Sequence, residues 1–236
     1  MTHPDARRTE LEANVAAVRH RIAAACAAAG RSPEEITLVG VTKFFPAADA
    51  ALLAEAGVTD LGESRDQEAA AKVGAVAELT SADIRWHFIG RLQTNKARSV
   101  ARYADLVHSV DRVELVPALA AGAERAERVL PVLVQLSLDG DPGRGGARDL
   151  LRLAEAVAQR PGLRLAGVMA IAPLQGDPDA AFAELARVAS RLRADHPEAR
   201  VISAGMSGDL EAAINHGATH VRVGTALLGR RAQIFR

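Results

Sequence analysis

One unit recurs along this chain: a short apolar run, then a stretch with helical spacing. It is met eight times, the last without its following stretch, and few folds accommodate such a series. The runs fall at residues 36–42, 60–62, 84–89, 106–110, 132–138, 163–171, 201–204 and 220–223. The stretches between them cover 46–56, 65–79, 94–103, 112–128, 149–159, 178–195 and 209–216. Most runs are apolar throughout instead of alternating, as expected of strands buried on both faces. Strands that alternate with helices pair in parallel, and this number of them predicts an α/β fold, a closed (β/α)8 barrel of the TIM type. An open doubly wound sheet is the rival; the strand count favours closure. Ahead of the first run, Leu11, Val15, Val18 and Ile22 mark one face of an extra N-terminal helix over 8–29, with Gly30 as its stop. Asp177-Pro178 predicts a helix start, because Asp caps free N–H groups and Pro suits the first helical position. No linker or low-complexity tract divides the chain, so residues 1–236 are expected to form one domain.

Composition narrows the partners. The 29 basic and 29 acidic residues cancel, so no net field draws the chain to nucleic acid or to an anionic membrane. Residues 1–10 are polar and lack the hydrophobic core of a signal peptide. No stretch reaches the roughly 18 apolar residues that read as a membrane span. Cys26 is the single cysteine, which excludes an intrachain disulfide and a cysteine-based zinc site and suits a reducing compartment. The seven histidines form no close ligand pair on a helix, so no metal is expected. These readings predict a soluble, cytoplasmic protein.

In such a barrel, chemistry gathers where strands end and βα loops begin. Lys43 closes the segment Leu38-Val39-Gly40-Val41-Thr42-Lys43. An amine there can lose solvation, which lowers its pKa and presents a neutral nucleophile to carbonyl carbon. A solvated lysine at a strand end is the plainer alternative. Gly205-Met206-Ser207 leaves the seventh run toward a helix near Asp209, and Arg222-Val223-Gly224-Thr225 leaves the eighth. Barrels commonly bind phosphate in the loops after strands seven and eight. The Ser207 hydroxyl, helix-start N–H groups and the bare Gly224 supply donors for it. Two ordinary turns, with Ser207 as a helix cap, leave the same pattern. His87 beside Trp86 reads as a packed strand histidine before it reads as a base. Asn95-Lys96 opens a helix and is a candidate second anion site, with a loop of no assigned duty as the alternative. Residues 140–146 are glycine-rich without the spacing of a nucleotide fingerprint, which predicts a flexible loop.

Longer segments carry more information. Val39-Gly40-Val41-Thr42-Lys43 comes first, then Leu61-Gly62-Glu63-Ser64-Arg65-Asp66-Gln67-Glu68. Next are Trp86-His87-Phe88-Ile89-Gly90-Arg91-Leu92-Gln93-Thr94-Asn95-Lys96 and His108-Ser109-Val110-Asp111-Arg112. Gly167-Val168-Met169-Ala170-Ile171, Gly205-Met206-Ser207 and Val221-Arg222-Val223-Gly224-Thr225-Ala226 follow in order. In these segments the sequence resembles the pyridoxal phosphate homeostasis protein family, whose barrel is that of the alanine racemase N-terminal domain. The resemblance runs from residue 36 to residue 231. It implies that Lys43 holds pyridoxal 5′-phosphate (PLP) as an imine, with Ser207 and the backbone of Gly224 and Thr225 on its phosphate. It also implies that Arg222 faces the pyridine nitrogen and that Ser64 and Met206 lie beside the cofactor. The guanidinium charge disfavours a proton on that nitrogen, which makes the ring a poorer electron sink. The family resemblance implies a protein that balances free PLP and amino-acid pools without substrate turnover. PLP-dependent apoenzymes are then candidate recipients, and a monomer is the simpler state.

The match has departures. Ser64 stands where the family usually has asparagine, and Arg91 where it has proline. Arg144-Gly145-Gly146 replaces Lys-Ser-Gly, and Leu227-Leu228-Gly229 replaces Ile-Phe-Gly. Each leaves the lysine and the phosphate donors in place, while the shorter Ser64 is expected to lose or water-bridge a ring contact. The alternative function is a PLP-dependent amino-acid racemase. A two-base racemase needs a second acid/base across the cofactor, and the single tyrosine, Tyr103, falls in the stretch 94–103. A third reading gives Lys43 a sugar-phosphate substrate, as in an aldolase.

Overall fold

A computed structural model describes residues 4–139, 145–147 and 149–229. Its strands are β1 (Thr37–Val41), β2 (Asp60–Glu63), β3 (Arg85–Phe88), β4 (Leu106–Val110), β5 (Leu130–Gln135), β6 (Leu163–Met169), β7 (Val201–Ser203) and β8 (His220–Val223). They pair in chain order, all in parallel, and β8 returns to β1, so the sheet closes into a barrel. The open doubly wound alternative is thereby excluded. Around the barrel lie α1 (Pro4–Ala28), α2 (Ala47–Glu55), α3 (Asp66–Ala77), α4 (Ala97–Tyr103), α5 (Leu115–Arg125), α6 (Leu150–Ala158), α7 (Pro178–Asp195), α8 (Leu210–Asn215) and α9 (Thr225–Leu228). Asp177 caps α7 as its sequence predicts, its carboxylate accepting from the Asp179 N–H at 3.0 Å. Gly30 ends α1 at a φ of 64°, a left-handed stop that glycine adopts without penalty.

Among the departures from the sequence reading, two concern helices. The stretch 94–103 is not one helix: Thr94–Lys96 forms a 3-10 turn before α4 begins. The second departure is α9, which at four residues is too short to show a period.

Most apolar burial lies between strands and helices. Phe88, Val107, Val132 and Leu165 belong to one cluster with α4 to α7. Leu53, Leu61, Val221 and Leu227 belong to another with α1, α2 and α8. The extra helix α1 closes the second cluster through Leu11, Val15, Val18 and Ile22, the stripe its spacing predicts. It also braces the last helix: Asn14 donates to the Leu227 carbonyl at 2.9 Å and Arg7 to that of Leu228 at 3.1 Å. A small apolar group of Leu106, Leu133, Ala166 and Met169 forms a third cluster. The strands are not apolar throughout, however. Asp60, His87, His108, Ser203 and Arg222 are all buried within them.

Candidate functional site

A cavity of about 520 Å³ opens beyond the carboxyl ends of the strands. The residues singled out in the sequence meet there: Lys43, Ser64, Met206, Ser207, Arg222 and the pair Gly224 and Thr225 all line it. They arrive from the ends of β1, β2, β7 and β8, as the barrel geometry requires.

Lys43 follows β1 on a turn held from below. Thr42 is fully buried, and its N–H donates to the Gly62 carbonyl at 3.0 Å. Its hydroxyl donates to Glu63 Oε1 at 2.7 Å, while its carbonyl accepts from Lys72 Nζ at 2.8 Å. Lys72 and Glu63 complete the knot with a buried ion pair at 2.5 Å. On the other side, Phe44 takes a φ of 69°, a region a bulky side chain enters only under constraint. The Arg65 guanidinium lies 4.7 Å from the Phe44 ring centroid. Lys43 itself is exposed, so the protein does not supply the desolvation its strand-end position suggests. Exposure instead makes it reachable. Only three lysines occur in the chain, Lys43, Lys72 and Lys96. Lys72 is buried in its ion pair, and Lys96 lines a neighbouring cavity.

The two loops opposite are tied together. Gly205 has a φ of 87°, and a Cβ there would stand 2.6 Å from that of Ala213, so this turn requires glycine. The Met206 N–H donates to Asp209 Oδ1 at 2.6 Å, which commits that amide to the loop itself. The Ser207 oxygen accepts from the Ala226 N–H at 3.3 Å, so Ser207 caps α9 across the two loops. Its proton remains available to an anion. Gly224 and Thr225 head α9, where first-turn N–H groups have no helical acceptor. A Cβ on Gly224 would meet Val41 at an ordinary 3.4 Å, so packing alone does not demand glycine there.

Arg222 is buried and reaches the cavity from β8. Its Nη1 donates to Ser203 Oγ at 2.5 Å and its Nη2 to the Ala170 carbonyl at 2.9 Å. Burial lowers its pKa to about 10, against a smaller opposing pull from Asp209, so it stays charged at neutral pH. Ser64 stands close beneath Gly90, where a Cβ would come within 2.1 Å of the Ser64 carbonyl oxygen. A second cavity of about 710 Å³ shares Ser64 and Arg91 with the first and is lined also by Lys96 and Arg112. Residues 140–144 of the glycine-rich loop, Arg144 among them, lie outside the described residues.

Two features of the site escaped the sequence reading. One is the Thr42–Glu63–Lys72 knot. The other is a set of buried hydrogen bonds behind Arg222 that includes His87, which is packed as expected yet also bonded on both ring nitrogens. The available signal was charged and imidazole side chains inside otherwise apolar strands.

Residues 13–232 match the family described as alanine racemase, N-terminal domain. The pyridoxal phosphate homeostasis protein of Mycobacterium tuberculosis is 50% identical over 97% of this chain and 95% of its own length. That of Escherichia coli is 40% identical over 92% of this chain and 95% of its own. The structure of PipY from Synechococcus elongatus with PLP bound superposes with a TM-score of 0.81 at 32% identity, covering 93% of this chain and 100% of that one. Alanine racemase from Streptomyces coelicolor, at 22% identity, a TM-score of 0.71 and 59% of its length covered, shares the fold. By this match along nearly its full length, on the barrel described above, the chain belongs to the pyridoxal phosphate homeostasis protein family.

Proposed function

We propose that this protein binds PLP covalently through Lys43 and serves PLP homeostasis, holding and releasing the cofactor without ordinary catalytic turnover. The observation that carries this reading is the convergence, in one cavity, of an exposed amine, a hydroxyl with helix-start N–H groups, and a buried guanidinium. That donor set fits the group: Lys43 would take the aldehyde carbon, Ser207 with the Gly224 and Thr225 amides the phosphate, and Arg222 the ring nitrogen. Ser64 and Met206 would flank the ring. When bound, PLP supplies an aldehyde and a ring able to spread negative charge. Arg222, charged at neutral pH, would disfavour a proton on the facing nitrogen and so blunt that capacity. The names of the relatives and the PLP in PipY support the same reading.

Racemisation finds less support. The Tyr103 hydroxyl is buried at the end of α4, and Tyr103 does not line the Lys43 cavity. Burial first, then the nearby Asp66 and Glu63, push its pKa up, so it holds its proton. The chain is proposed to act in the cytoplasm as one domain over residues 1–236 and as a monomer, delivering PLP to apoenzymes. Among the described residues no helix is long and apolar enough to cross a membrane.

The test is spectroscopic. Addition of PLP to the purified protein is expected to produce a visible absorbance band, which Lys43→Ala abolishes while circular dichroism shows the fold intact. Interconversion of D- and L-alanine at about 1–1000 per second would overturn the non-catalytic part. Retention of the band in Lys43→Ala would overturn the rest.

A further inference from the structure

Behind Arg222 a line of hydrogen bonds crosses the barrel. Arg222 Nη1 lies 2.5 Å from Ser203 Oγ, and Ser203 Oγ lies 2.8 Å from His108 Nδ1. His108 Nε2 lies 2.8 Å from His87 Nδ1, and His87 Nε2 lies 2.8 Å from Asp60 Oδ1. Arg85 Nη2 closes the far end on Asp60 Oδ2 at 2.6 Å. Ser203 and His108 are wholly inaccessible to solvent, and His87 nearly so. The line starts in the Lys43 cavity, which Arg222 lines, and ends in a separate cavity lined by Asp60 and Arg85, the first residues of β2 and β3.

Elementary donor and acceptor counting fixes its direction. A guanidinium has only donors, so Ser203 Oγ accepts from Arg222. The serine proton then points to His108 Nδ1, which must carry a lone pair. A neutral imidazole with a bare Nδ1 holds its proton on Nε2, and His108 therefore donates to His87 Nδ1. By the same step His87 donates from Nε2 to Asp60, a carboxylate that also accepts from Arg85. Every atom is satisfied and neither ring is charged. The opposite sense needs a doubly protonated His87, since a bare Nε2 would face the Asp60 oxygen. It also makes Ser203 accept twice and strands its own proton, at a fully buried site where a lost partner is expensive.

We propose that this line is a one-way relay whose members Ser203, His108 and His87 are positioning residues for Arg222, locking it as a fixed donor at the cofactor cavity. The role toward the ring rests on PLP occupying that cavity; the relay itself does not. The charged and titratable groups around the two rings are Asp60 on β2, Arg85 on β3, and His220 and Arg222 on β8. The His220 ring centroid lies 6.1 Å from that of His87 and 6.3 Å from that of His108. Burial above all, with His87, Arg222 and His220 adding to it, holds the His108 pKa well below the usual imidazole range. A neutral His108 is what the forward sense requires.

Nitrogen-15 NMR of the imidazoles in ligand-free protein reads the direction with no variant and no PLP. The relay predicts neutral His87 and His108 at neutral pH, both carrying the proton on Nε2. A proton on His108 Nδ1, or a doubly protonated His87, overturns it. Ser203→Ala is expected to release the His108 tautomer from this preference and to weaken PLP retention about 5- to 10-fold, the scale on which one lost intramolecular hydrogen bond is felt. Ser109→Ala removes a buried hydroxyl that has no hydrogen-bond partner among the described residues and is expected to change neither readout. Wild-type tautomers and retention in Ser203→Ala would also overturn the assignment. Failure of PLP to bind wild-type protein would instead strike the Lys43 reading and leave the NMR result standing.

Discussion

At the scale of single residues, the site divides into groups that touch the cavity and groups that hold them. Ser207→Ala removes a donor from the proposed phosphate grip and the cap of α9 at once. Retention of PLP should weaken by about 1–3 kcal/mol, the cost of losing a bond to a charged group, which equilibrium dialysis measures. Lys72 belongs to the holding set. Lys72→Met leaves Glu63, 1% exposed, with an uncompensated charge, and should cost about 3–5 kcal/mol in urea unfolding. The difference between the two sets also explains what was legible beforehand. Lys43 closes an apolar run, and Ser207 and Arg222 sit beside glycine-containing turns at strand ends, local patterns that the chain displays openly. Glu63 and Lys72 are 9 residues apart, and His108 and Ser203 are 95 apart. Nothing in a linear reading pairs them: α3 folding back on the end of β2 joins the first pair, and closure of the barrel joins the second.

At the scale of elements, the number and order of strands were readable because buried parallel strands leave continuous apolar runs. Their ends were not, since pairing with neighbours decides where a strand stops. The run 132–138 stops as regular strand at Gln135, whose carbonyl takes the Ala147 N–H at 2.7 Å. The short α9 went unseen for the opposite reason: it lacks a period and is held by others. Its supports are Ser207 from one side and Asn14 of α1 from the other. Asn14→Ala should therefore lower stability by about 1 kcal/mol and also weaken PLP retention, although residue 14 does not line the cavity. Urea unfolding and dialysis on the same variant check both halves.

At the scale of the whole molecule, a polar line through the barrel interior makes stability depend on pH. Burial, with His87 next, lowers the His220 pKa to about 4 from its ordinary 6.5, and His108 shifts the same way. Between those two values the unfolded chain binds protons that the folded chain refuses. Stability therefore falls as pH drops through this window, by up to about 1.4 kcal/mol per pH unit for each group. Urea midpoints measured at neutral pH and near pH 5 should differ in that sense. The proposed function, however, turns on one amine at the mouth of the barrel. Borohydride reduction of the PLP-loaded protein, followed by peptide mapping, tests it most directly among the three lysines. A pyridoxyl group is expected on the peptide carrying Lys43 and on neither of the others. A label on Lys72 or Lys96, or no label at all, would contradict it.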